Sequence, residues 1–502
     1  MSPFLLFSFV IGYFIILLIV AYYTSRNANN ESFFIGNKNS NWMLVAFGMI
    51  GTSLSGVTFV SVPGAVGKSL GTGFEGFTYF QIVLGYVIGY FIIAYILLPL
   101  YYRLNVTSIY NYLSNRLGFI SYKTGASFFI LSRTLGATAR LYLVVAILQD
   151  AILASFGIPF WLTTLIILLM ILLYTFEGGV KTIVWTDTLQ TTCMLLGLII
   201  CVIYILKVLG LSFGEGVNAL NERGFTTLFV WDPASRLFFL KQILAGAFIT
   251  ITMTGMDQEM MQKNISVKNL KDSQKNMISF SLIQAAVVLL FLFLGGLLYL
   301  YAAGNNVGAA ADRLFPSIAL GEGVPAIISV IFIIALISAL FPSADGAITA
   351  LTSSFCIDIL GLKRREDWNE KEKQRVRKTV HLVFAAIFLL FVMVFKWINS
   401  SSMIGVILKV AGYTYGPLLG LFAFGILTKR KVADNAVPFI AIAAPVVCFF
   451  LDKYQRQIFG SFEIGLELIL INGLLVFLGL LLVSKPQPVP QEVKQILQHG
   501  NS

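Results

Sequence analysis

Asp345 sits in a stretch where a carboxylate is costly. Residues 325–359 read PAIISVIFIIALISALFPSADGAITALTSSFCIDI, as apolar as a bilayer span. A charge near the bilayer centre costs about 2.5–3.5 kcal/mol on insertion scales, so such a residue needs a partner or a task. Ser338, Pro342, Asp345, Thr349 and Thr352 step by three or four residues and predict one polar stripe along a helix. Hydroxyl and carboxylate oxygens on one face are the ligands a hard cation requires. This pattern points to ion-coupled transport.

Other polar groups fall in equally apolar surroundings. Residues 42–66 concentrate glycine, hydroxyl and β-branched residues between Gly48 and Ser61. That composition fits a broken helix whose freed carbonyls bind ions, and equally a small-residue face for helix packing. Residues 238–262 show similar interruptions at Gly246 and at Thr250–Gly255. Arg133 and Arg140 are seven residues apart on one helix face, where they pair with carboxylates, snorkel, or hold an anion. Asp187 either starts a helix facing Lys181 or serves an ion. Gln81 lines a cavity or bonds a neighbouring helix.

The elements that must position these groups are membrane helices. Of 502 residues, 57% are hydrophobic and 12% charged, and the mean hydropathy is +0.84; a soluble chain carries about 25% charged residues. A span needs about 20 apolar residues. Thirteen candidates stand out: 4–23, 42–66, 74–100, 121–153, 159–176, 184–209, 238–262, 275–303, 325–358, 378–397, 401–427, 436–453 and 462–484. The expected fold is all-α and integral to the membrane. With the N-terminus outside, one set of loops collects most of the basic residues, including Arg26, Lys38, Lys181, Lys263, Lys268, Lys363 and Lys429, so the positive-inside rule predicts N-out and C-in. Lipid therefore explains the net charge of +11, and no nucleic-acid partner is implied. The four cysteines lie within spans and show no disulfide or zinc spacing. Two histidines, His381 and His499, and the absence of an acid- or histidine-rich surface loop argue against an integral membrane transferase. No obligate protein partner is inferred.

The two interrupted spans, with five spans from one to the next, suggest an inverted repeat of 42–209 against 238–427. Segments 4–23 and 436–484 would be peripheral, and 485–502 a cytoplasmic tail, within a single domain of 1–502.

Five segments in order carry a resemblance. Thr52-Ser-Leu-Ser-Gly-Val-Thr-Phe with Val62-Pro-Gly-Ala65, Gly179-Val-Lys-Thr-Ile-Val-Trp-Thr-Asp-Thr-Leu-Gln190, Met256-Asp-Gln-Glu-Met-Met-Gln-Lys263, Ser338-Ala-Leu-Phe-Pro-Ser-Ala-Asp345 and Tyr413-Thr-Tyr-Gly-Pro-Leu-Leu-Gly420 look like core helices one, five, six, eight and ten of the sodium:solute symporter family. The likeness runs over residues 8–484 and implies a LeuT-type fold of two inverted five-helix repeats. It implies that carbonyls of Gly51, Leu54 and Ala339 with the Ser343 hydroxyl hold sodium. Pro342 stands where the family usually has a second serine, and Asp345 is a candidate replacement ligand. Asp187 matches an acid that holds a second sodium in some relatives. Ser53, Ser55, Thr58, Gln81 and Arg140 match substrate-contacting positions, and Arg140 is similar to the arginine that grips the carboxylate in a bacterial sialic acid symporter. Residues 98–112 are similar to the iodide, vitamin and monocarboxylate branch. The resemblance thus implies sodium-coupled uptake of a small organic anion such as a sialic acid or monocarboxylate at the cell membrane. Proton coupling and a neutral sugar are the alternatives.

Overall fold

The computed structural model describes residues 3–24, 40–67, 74–105, 108–175, 179–365, 367–398, 400 and 402–486. Arg26, Lys38, the side chains of Lys181 and Lys363, and the tail past residue 486 lie outside that description.

Its helices follow the apolar stretches. In chain order they are α1 (Pro3–Thr24), α2 (Trp42–Ser53), α3 (Gly56–Gly64), α4 (Tyr79–Leu104), α5 (Phe119–Ala151), α6 (Phe160–Thr175), α7 (Gly179–Leu209), α8 (Phe213–Glu222) and α9 (Phe239–Gly255). Then come α10 (Gln258–Ile265), α11 (Leu270–Gly304), α12 (Ala326–Ile359), α13 (Glu370–Ile398), α14 (Met403–Thr414), α15 (Gly416–Leu427), α16 (Val437–Phe459) and α17 (Leu468–Leu482). Eight helices meet the length and hydropathy of a span, and eleven spans result when each bent pair counts once. The expected stretches 159–176 and 462–484 form shorter helices of 16 and 15 residues. All thirteen stretches are helical, and the last two fall below the length of a perpendicular crossing. The amphipathic α8 is the exception to the apolar rule, and a Ser212–Glu215 capping box starts it.

Three pairs bend sharply: α2 into α3 by 56°, α9 into α10 by 66°, and α14 into α15 by 45°. The first break lies at Leu54–Ser55, inside the glycine and hydroxyl cluster. The second follows a wide turn at Ile251–Gly255 and falls at Met256–Asp257. Gly246 is not an interruption. A Cβ there would lie 2.2 Å from the carbonyl oxygen of Ile82, so the missing side chain lets α4 and α9 touch backbone to backbone. At the centre, α12 is the most buried of the spans, packed against α7, α5 and α13. It continues unbroken through Pro342.

Candidate functional site

Both breaks open onto one cavity of about 100 Å³, lined by Ser53, Ser55, Thr58, Tyr86, Tyr90, Arg133, Arg140, Met253, Thr254 and Gln284 among others. That is below the roughly 300–1,000 Å³ usual for ligand pockets. Four of the five residues expected to meet the solute are here: Ser53, Ser55, Thr58 and Arg140. Gln81 is not. Its amide donates to the carbonyls of Thr78 and Leu237 and accepts from the Val230 N–H, pinning α4 to the 227–238 segment.

The cavity wall is built from hydroxyls and amides in fixed order. Gln284 on α11 donates to Ser53 Oγ at 2.8 Å and accepts from Tyr90 at 2.8 Å. Ser55 starts α3 without using its side chain as a cap, so the positive end of that helix faces the break. The matching end of α10 is already satisfied, because Asp257 accepts from the N–H groups of Glu259 and Met260. The carbonyls freed at the second break are also answered: Tyr101 donates to Gly255 and Tyr110 to Met256, at 2.7 and 2.8 Å. No such hydroxyl is recorded at Gly51 or Leu54 among the described residues. The first break therefore keeps free oxygens where the second does not.

Gly51 brings three helices to that point. A Cβ on it would lie 2.3 Å from Thr191 Oγ1 on α7 and 3.5 Å from Pro342 Cγ on α12. A Cβ on Gly56 would lie 3.8 Å from both the Leu336 carbonyl oxygen and the Leu340 nitrogen. The 336–343 stretch of α12 thus runs beside the break, and it carries Ala339 and Ser343. Ser343 Oγ donates to the Leu340 carbonyl at 2.8 Å.

The polar stripe of α12 turns elsewhere. Ser338 bonds Tyr13 of α1 at 2.7 Å, Asp345 accepts from Tyr174 of α6 at 2.7 Å, and Thr352 lies 3.0 Å from His381 Nδ1 on α13. Three outer helices answer three members of the stripe, and none of its residues lines the cavity. Asp345 is fully buried, and no cation of the described residues lies within 4.0 Å of it.

Beneath the cavity lies an ionic lattice that spacing did not foretell. Arg133 pairs with Glu259 and, at 3.8 Å, with Asp257, to which Tyr415 also donates. Lys263 donates to Asp187 Oδ2 at 2.7 Å and to Thr52 Oγ1 at 2.6 Å, and stands 3.6 Å from Glu259. Lys263 is 3% exposed. It is a helix residue and not a loop charge, and it pairs with Asp187; the side chain of Lys181, the other reading, lies outside the described residues. The one signal in the chain was the acid–acid–lysine run Asp257-x-Glu259-x-x-x-Lys263, whose last two charges are four apart on a helix. Arg140 differs from its neighbour: no carboxylate of the described residues lies within 4.0 Å of it.

Two broken helices crossing at a buried polar cavity, with free carbonyls at one break, define a secondary transporter of the alternating-access class. The sequence profile of the sodium:solute symporter family matches residues 33–438. The chain belongs to the sodium:solute symporter family. It is 24% identical over 470 residues to a sodium/sialic acid symporter of Proteus mirabilis, covering 91% of this chain and 90% of that one. It is 26% identical over 423 residues to sodium-coupled monocarboxylate transporter 1 of Mus musculus, covering 79% and 64%. The solved outward-open structure of a Na+-coupled sialic acid symporter superposes with a TM-score of 0.79 at 20% identity, over 96% of this chain and 99% of that one. A nucleobase-cation-symport-1 family transporter follows at 0.53 and 13%, over 91% and 95%. The fold is the LeuT type, the protein is a multi-pass membrane transporter, and it is not an enzyme.

Proposed function

We propose that this protein carries a small organic anion into the cell together with sodium, in the plasma membrane, with its N-terminus outside and its C-terminus in the cytoplasm. The observation that carries the anion reading is the contrast between the two cavity arginines. Arg133 is held by Glu259 and Asp257, while no carboxylate of the described residues lies within 4.0 Å of Arg140. A guanidinium with no carboxylate beside it favours one from a ligand, whose two oxygens match its planar fork. The open N-terminus of α3 adds a second attraction for negative charge. Free carboxylates, a sialic acid or a monocarboxylate, should compete for uptake into proteoliposomes, and their esters or amides should not. Competition by neutral sugars alone would refute the reading.

Sodium is placed at the first break, between the carbonyls of Gly51 and Leu54 and the α12 groups Ala339 and Ser343. One sodium ion moving inward releases about 2.3 kcal/mol per 100 mV of membrane potential. Ion binding that favours one packing of α2 against α12 would couple it to the solute at the same break. Ser343→Ala removes one oxygen from this set. It should raise the sodium concentration for half-maximal uptake about tenfold, the worth of one polar contact. An unchanged sodium titration would sink the placement.

Asp345 lies two residues past Ser343 with only hydroxyl and N–H partners recorded. Asp345→Asn keeps the acceptor for Tyr174 and removes the charge. A several-fold change in half-saturating sodium, or a changed pH profile of uptake, is expected. If both survive intact, Asp345 serves helix packing alone.

A further inference from the structure

Threonines on a membrane helix normally turn their hydroxyls back onto the carbonyl four residues earlier. Along α7, Thr186 donates to Thr182, Thr188 to Val184 and Thr192 to Thr188, at 3.3, 2.8 and 2.8 Å. Thr191 breaks the pattern. Its Oγ1 is fully buried and has no partner among the described residues. A buried hydroxyl left unsatisfied is destabilising, so its oxygen is available to a ligand.

The hydroxyl is aimed at a particular place. It lies 2.3 Å from where a Cβ of Gly51 would stand, and the Pro342 ring approaches the same point to 3.5 Å. Any side chain at position 51 would fill this space, so glycine keeps it open. Around it are the last turn of α2, where the Ile50 carbonyl accepts from Leu54 N–H and no hydroxyl of the described residues answers the Gly51 carbonyl, and the 339–343 stretch of α12. Pro342 brings carbon to this junction, and the nearest hydroxyl in the chain, on Ser343, donates to the Leu340 carbonyl of its own helix. A cation between α2 and α12 therefore meets an oxygen-poor side at Pro342, and the orphaned oxygen of Thr191 faces that side.

We propose that Thr191 Oγ1 is a sodium ligand, supplied from α7, which completes the ion site at the first break in place of an oxygen that Pro342 cannot provide. The inference rests on the sodium placement given above. It adds a third helix to the ion site: sodium would then tie α7 to α2 and α12, rather than only the latter two to each other. Hard monovalent cations take hydroxyl and carbonyl oxygens alike, so the donor type fits.

The test uses purified full-length protein in detergent and in proteoliposomes, with sodium chloride titrated against constant ionic strength in choline chloride. Thermal stabilisation and the sodium dependence of uptake are both read. Thr191→Val keeps the shape and removes the oxygen, and should raise half-saturating sodium about tenfold. Thr191→Ser keeps the oxygen and should stay within about threefold of wild type. The decisive variant is Thr191→Val combined with Pro342→Ser, which returns an oxygen to the other side of the same point and should recover most of the lost sodium affinity. A Thr191→Val protein with wild-type sodium dependence, while Ser343→Ala is impaired, would overturn the role of Thr191 and leave the sodium site standing. Wild-type behaviour of both would overturn the site itself.

Discussion

Replacing Arg140 by glutamine is expected to remove solute binding almost entirely while sodium still stabilises the protein. Truncating one partner of a buried, hydrogen-bonded charge pair costs on the order of 2–5 kcal/mol, or roughly 30- to 4,000-fold in Kd. Arg140→Lys keeps the charge but loses the planar fork, and should fall between the two. Equilibrium binding of a radiolabelled carboxylate, alongside thermal stabilisation by sodium against potassium, separates the effects. A structural arginine would behave differently: its loss would lower stability in both ions and leave the remaining affinity near wild type. Retention of affinity within about threefold in Arg140→Gln would exclude Arg140 as the anion receptor. The same substitution at Arg133 is a poorer probe. It strands Glu259 and Asp257 beside each other, so lost uptake would not distinguish binding from folding.

Much of the architecture was legible because hydrocarbon imposes a length: all thirteen apolar stretches are helical, three of them as bent pairs, although eight to eleven spans qualify among the described residues. The position of the first break was legible for a related reason: glycines and hydroxyls cluster only where the backbone needs exceptions. Gly246 shows the limit of that logic, since the same residue type serves close packing on α4. The α12 stripe shows another. Its helical spacing was right, yet spacing does not say which neighbour a face meets, and Tyr13, Tyr174 and His381 lie on three different helices, 325, 171 and 29 residues from their partners. Gln81 failed for its own reason, because an amide that bonds at both ends suits a backbone clamp as well as a cavity. Lys263 was misplaced because its partners, Asp187 and Thr52, are 76 and 211 residues distant. Within the run it resembles the lysine-rich loop that follows, and only tertiary contact separates it.

That pair carries the second large effect. Lys263 and Asp187 are both buried, with 2.7 Å between Nζ and Oδ2, and Thr52 donates to the same oxygen at 3.1 Å. Removing one member of a buried ion pair leaves an uncompensated charge, which costs about 3–5 kcal/mol, whereas removing both is often nearly neutral. Asp187→Asn and Lys263→Met should therefore each lower the denaturation midpoint sharply, and the combined variant should recover much of the loss. Such recovery is a coupling that independent sites do not show. Through Thr52, the pair also joins α7 to α2 and α10, one half of each of the first two broken helices. Uptake asks more of it than stability does, because these helices must separate for the cavity to open. The combined variant is expected to fold and bind solute yet transport with an altered rate, since the latch that resists opening is gone. Binding of a labelled carboxylate together with single-turnover efflux from proteoliposomes reads both quantities. Additive destabilisation in the combined variant would show that the two charges do not answer each other. Asp187 would then be free to serve a cation, as the family resemblance first implied.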